Sequence, residues 1–212
     1  MTNHARALAV LFATYAGFLI VMNALATKQF DIAIGTVTTG ILVSPIVFIA
    51  QDVATEVFGY KTARRMILTG FAIMAIATAL FQLAIMIPPS QFYANQEAFA
   101  TIFGSVPRIV FASFLAYTIG SLVNAKVMAW MKQRWGGSLF GRAITSTFVG
   151  QLLDNAIFGV VAFAGILPPM ALVSLAVVAT LFEVVYEIVL FPATKAAIRY
   201  TQRYISRDKV AA

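Results

Sequence analysis

VSPIVFIAQDVATEVFGYKTARR, residues Val43–Arg65, begins as an apolar run of the kind that enters a membrane. It then sets Asp52 and Glu56 four residues apart, turns at Gly59, and ends in Lys61, Arg64 and Arg65. Residues spaced by four share one face of a helix. A carboxylate at the centre of an apolar span costs about 2.5–3.5 kcal/mol on insertion scales, so such residues mark pathways and binding sites. The basic end reads as the cytoplasmic flank of a span. This stretch therefore predicts an all-α membrane protein and places its first candidate functional groups.

The rest of the chain agrees. Of its 212 residues, 61% are hydrophobic and 11% charged, against about 45–50% and about 25% in soluble domains. Mean hydropathy is +0.89. Hydropathy gives six spans, near 5–26, 38–58, 62–87, 107–131, 139–166 and 170–191, forming one transporter-sized domain over residues 1–212. Met1–Lys28 has the outline of a signal peptide, but its apolar run leads into further spans, so it reads as an uncleaved first helix. The segment from Pro88 to Val106 is partly apolar and is expected to lie along the interface.

Charge sets the orientation. With the N-terminus inside, twelve of the fifteen basic residues fall on the cytoplasmic side. They include Arg6, Lys132, Arg134 and Arg142, and Lys195, Arg199, Arg203, Arg207 and Lys209 near the C-terminus. Only Lys28 and Arg108 fall outside, and Lys126 lies within a span. This is the positive-inside pattern, with both termini cytoplasmic. It accounts for the net charge of +7 without nucleic acid as a partner. Lys195, Arg199, Arg203 and Arg207 recur every four residues on a helical tail after Pro192, as ordinary flanking charge or as a lipid contact.

Cysteine is absent, which excludes disulfides and thiolate-ligated metals. There is no GxxxxGK[ST], GxGxxG or HExxH pattern, so no cofactor, metal or enzymatic chemistry is expected. Gly137–Gly141 formally matches GxxxG but reads as a turn at a span entrance.

Polar groups inside the spans supply the candidate site. Asp154, Glu183 and Glu187 join Asp52 and Glu56, so five of the eight acidic residues are intramembrane. Gln151, Asp154 and Asn155 lie together, with Thr147 one turn earlier. Ser113, Tyr117, Ser121 and Asn124 form a polar stripe, and Asn23 and Gln82 add amides. At ~1.5 Å per residue, Asp154 lies roughly 18 Å in from Arg142, near the midplane where transporters bind substrates. Gln151, Asp154, Asn155 and Glu183 are the central substrate contacts on this reading, with Tyr117 and Asn23. Asp52, Glu56 and Glu187 are gate or proton-coupling candidates. Bland readings stand beside these: Glu56 paired with Lys61 or Arg64, Asp52 with Arg142, and Glu183 and Glu187 as hydrogen bonders between helices. Ser113, Ser121, Asn124 and Gln82 read as interhelical contacts.

Five motifs, in order, resemble the queuosine precursor transporters, also grouped as vitamin uptake transporters. They are Asn23, Leu25, Ala26 and Lys28; Pro45, Phe48, Asp52, Glu56, Gly59, Ala63 and Arg64; Arg108, Ile109, Ala112, Ser113, Ala116 and Tyr117; Ser146, Thr147, Gly150, Gln151 and Asp154; and Glu187 with Pro192. Glu183 departs from the pattern, since many members carry Lys there. The resemblance implies import of 7-cyano-7-deazaguanine, 7-aminomethyl-7-deazaguanine or queuine across a bacterial inner membrane for tRNA modification. A guanine-like base offers an N–H and an exocyclic amine to a carboxylate, a carbonyl to an amide, and a flat face to an aromatic ring. Two other classes stay open: a substrate-binding membrane component driven by a separate ATPase module, and a non-transporting adaptor. Energy coupling and homodimer formation are also open.

Overall fold

A computed structural model describes residues 2–134 and 139–210. The side chains of Lys132, Arg142 and Lys209, and Gly137 of the GxxxG match, lie outside the described part. The elements are α1 (Asn3–Leu25), β1 (Gln29–Ile32), β2 (Gly35–Thr38), a 3-10 turn (Thr39–Leu42), α2 (Ser44–Phe58), α3 (Tyr60–Met86), α4 (Gln96–Gly104), α5 (Val106–Arg134), α6 (Leu139–Phe163) and α7 (Pro169–Val210). Among the described residues, five helical segments are long and apolar enough to cross a membrane. The chain is an all-α membrane protein with one small β-hairpin.

The expected span over 38–58 differs from the sequence reading. Its helix starts only at Ser44 and has 15 residues, about 22 Å at 1.5 Å per residue, against a hydrocarbon core of about 30 Å. Pro45 explains the late start, because proline fits the first helical turn and blocks the turn before it. The β-branched run Thr36–Thr38 pairs instead as strand, with Gln29 opposite Thr38 and Ile32 opposite Gly35. The hairpin folds back onto α7. The Thr36 N–H donates to Ser174 Oγ at 3.1 Å, and Val37 packs with Ile41 and Val178 in a buried cluster.

Two other expectations are refined. The segment between Pro88 and Val106 contains α4, held to α3 by Gln82, whose amide donates to the Phe103 carbonyl at 2.9 Å. The last span and the tail are one helix of 42 residues that continues through Pro192.

Helices α1, α2 and α3 pack together, as do α5, α6 and α7, and the two groups meet where α2 contacts α7 and α1 contacts α5. The core of the first group centres on Tyr15, Leu19, Met66 and Met74. Helices α5 and α6 approach closely at Gly120 and Gly150. A Cβ on Gly120 would sit 3.0 Å from the Gly150 carbonyl oxygen, and one on Gly150 would sit 2.7 Å from the Asn124 Cβ. At the start of α5, Arg108 donates to the carbonyls of Val161 and Ala164 at 2.6 and 2.7 Å, satisfying acceptors at the end of α6. Asn3 donates to the Tyr204 carbonyl at 3.2 Å, and His4 lies edge-on to Phe58. The start of α1, the end of α2 and the end of α7 thus share one end of the bundle, which is also the end rich in Lys and Arg.

Candidate functional site

Two cavities lie in line between the helix groups. The first, a chamber of about 140 Å³, lies under the hairpin. Its walls come from Tyr15 and Asn23 of α1, Ser44 and Val47 of α2, Phe71 of α3, Ser113 of α5, and Asn155 and Phe158 of α6. The second, a vestibule of about 520 Å³, lies toward the basic end. Asp52 and Glu56 of α2, Asn124 of α5, Thr147 and Gln151 of α6, and Glu187 and Thr194 of α7 line it. Phe48, Gln51, Tyr117, Asp154 and Glu183 line both cavities and form the neck between them.

The predicted site residues divide along this axis. Asn23, Tyr117, Asp154, Asn155 and Glu183 meet at the chamber. Gln151 does not reach the chamber; it faces the vestibule one turn below Asp154. Asp52, Glu56 and Glu187 line the vestibule alone, with Asp52 close to Glu187.

Hydrogen bonds fix the chamber wall. Asn155 is buried and donates to Glu183 Oε2 at 2.8 Å and to Thr180 Oγ1 at 3.2 Å. Its carbonyl edge is thereby turned away from α7, and one Glu183 oxygen is occupied. Asn23, 1% exposed, donates to the Leu19 carbonyl at 2.9 Å and accepts from Ser113 Oγ at 2.7 Å. Ser113 is therefore an interhelical contact, and it orients Asn23. Ser121 bonds back to the Tyr117 carbonyl of its own helix. Gln151 Oε1 is buried without a partner among the described residues. An unmet buried acceptor is costly, which makes it a place for a ligand donor.

The vestibule is unusual in charge. Five carboxylates line it, with no Lys, Arg or His among the described residues. Among the described residues Glu56 forms no ion pair with Lys61 or Arg64. The alternative pairing of Asp52 with Arg142 lies outside the described side chains. No group of three or more His, Asp or Glu among the described residues is arranged to hold a metal ion. Such a lining suits donor-rich or cationic ligands.

Sequence reasoning missed Gln51, Tyr15 and Thr180, and it did not single out Phe48 as a site residue. An amide and a ring inside an apolar run read as packing. Only the packing of α2 against α1, α3 and α7 turns them toward the cavities.

Known proteins place this architecture. A family described as "Putative vitamin uptake transporter" matches residues 38–197. The chain is 33% identical over 135 residues to the "Probable queuosine precursor transporter" of Bacillus subtilis, covering 63% of this chain and 59% of that protein. It is 33% identical over 132 residues to the "Queuosine precursor transporter" of Escherichia coli, covering 59% and 55% respectively. The chain thus spans little more than half the length of these curated relatives. No solved structure matches it. The family match runs from the last residue of β2 into the tail of α7, and so takes in the neck, the vestibule carboxylates and all of the chamber wall except Ala26 and its α1 residues. With most of the chain and nearly the whole cavity wall inside that match, the protein belongs to the vitamin uptake transporter family, a family of transporters and not of enzymes.

Proposed function

We propose that the protein is a bacterial inner-membrane importer of queuosine precursors, taking up 7-cyano-7-deazaguanine, 7-aminomethyl-7-deazaguanine or queuine for tRNA modification. It works as a single six-helix domain with both termini cytoplasmic. The observation that carries the reading is the acceptor-rich wall at mid-bundle: Asp154 and Glu183 beside the unpartnered carbonyl of Gln151, flanked by Tyr117. A 7-deazaguanine offers this wall a ring N–H and an exocyclic amine, and its flat face suits an aromatic side chain. The names of the relatives support the same substrate class.

On this reading the hairpin side faces outward and the vestibule faces the cytoplasm. Substrate enters the chamber, is held at the neck by Asp154 and Glu183 with Asn155 and Gln151, and leaves past Asp52, Glu56 and Glu187. Alternating access moves the α1–α3 group against the α5–α7 group around this point. The test is uptake by a strain unable to make these precursors. Expressing this chain alone should restore queuosine in tRNA when at least one of the three compounds is fed. No restoration with any of them would sink the function. Restoration only when an ATPase module is co-expressed would make the chain a binding component.

A further inference from the structure

The neck carries two residues beyond the candidate set. Phe48 and Gln51 lie three apart on α2, so they share a face. The far face, Ala50, Val53 and Ala54, is buried at 1–4% exposure against the bundle. Phe48 is 37% exposed and lines both cavities. Gln51 lines both cavities too, and its amide lies against the Tyr117 hydroxyl.

Size brings a ligand to this point. An apolar cavity of about 150 Å³ holds one benzene ring. The chamber, at about 140 Å³, therefore has room for one ring of a bicyclic base. The second ring must extend into the neck, between Phe48 on α2 and Tyr117 on α5. Chemistry agrees with size. A guanine-like edge places a carbonyl acceptor beside its N–H, and an ionised Asp154 or Glu183 can only accept hydrogen bonds. Gln51 carries both a donor and an acceptor and can complete that edge.

We propose that Phe48 and Gln51 are substrate-contacting residues that set specificity, Phe48 stacking on the flat ring and Gln51 bonding its carbonyl edge. This rests on the functional reading above and adds to it the residues that read the base.

The experiment uses the full chain in lipid nanodiscs with 7-cyano-7-deazaguanine as the probe. Phe48→Leu and Gln51→Leu should each weaken binding roughly tenfold or more, and Phe48→Trp should restore it, because base–aromatic stacking depends on the ring. The chain has no cysteine, so Gln51→Cys carries its only thiol. Saturating probe should slow maleimide labelling of that thiol severalfold. It should leave unchanged the labelling of Phe92→Cys, whose native side chain is 88% exposed in the segment between α3 and α4. Unchanged affinity in both leucine variants, or equal Gln51→Cys labelling with and without probe, would overturn the assignment while leaving the function standing. A wild-type chain that binds none of the three deazaguanines would overturn both.

Discussion

Asn155 is placed to serve structure and, on the proposed role, ligand as well. It ties α6 to α7 through Thr180 and Glu183. Interhelical hydrogen bonds in membrane proteins contribute about 0.6 kcal/mol each on average and up to about 1.7. Asn155→Leu should therefore lower the unfolding free energy in detergent by about 1–2 kcal/mol. It also frees a Glu183 oxygen from its fixed partner, so base binding should fall by more than that stability loss explains. A binding loss no larger than that of a stability-matched variant far from the cavities would make Asn155 purely structural. Asp154→Asn keeps size and removes one acceptor, so on the proposed role it should abolish measurable uptake with little change in thermal midpoint. Full uptake by Asp154→Asn in a whole-cell assay would remove Asp154 from the site. Much at this scale was legible in the sequence. A carboxylate at mid-span is costly anywhere except at a polar cavity, so Asp154 and Glu183 stood out without coordinates. Gln51 and Phe48 carry no such cost in an apolar run and stayed hidden.

At the scale of elements, glycine placement decides how the helices meet. Gly120 and Gly150 let α5 and α6 touch beside Asp154. Gly120→Ala would put a Cβ 2.9 Å from the Asp154 Cβ, where neither backbone can yield. Overpacking of this kind costs about 1–3 kcal/mol. The variant should lose both thermal stability and base affinity, whereas Ala on the outer surface of α5 should lose neither. Gly59 acts differently. It joins α2 to α3 at φ 82° and ψ 162°, a region essentially restricted to glycine. Nothing lies within 4 Å of a Cβ built there. Gly59→Ala should destabilise by about 1–3 kcal/mol through backbone strain alone, measurable as a lower midpoint with a correctly inserted protein. A midpoint equal to wild type would show that α2 and α3 can meet through another backbone geometry. The turn at Gly59 was readable from sequence. The hairpin was not, because its turn residues Ala33 and Ile34 carry no turn preference and its hold on Ser174 is tertiary.

For the whole molecule, the ends constrain the number of crossings. Asn3 and Tyr204 are hydrogen-bonded, so α1 begins and α7 passes at the same end of the bundle. Five long helices alone would carry the chain to the opposite side. We infer that α2, completed by the hairpin and 3-10 turn, makes the sixth crossing. Reporter fusions at the two termini should then report the same side, the cytoplasmic one, as the distribution of Lys and Arg predicts. Opposite sides would leave α2 as a re-entrant segment.

Helix α7 has a mechanical consequence. It runs unbroken from Ser174 and Val178, where the hairpin rests, past Glu183 and Glu187, to Thr194 and Ile198 at the mouth of the vestibule. At ~1.5 Å per residue, the stretch from Ser174 to Ile198 is a rod of roughly 36 Å. On the alternating access proposed above, a rod packed against the hairpin at one end and along the vestibule at the other would act as a lever about its Asn155 contact with α6. Lifting the hairpin and narrowing the mouth then become a single motion.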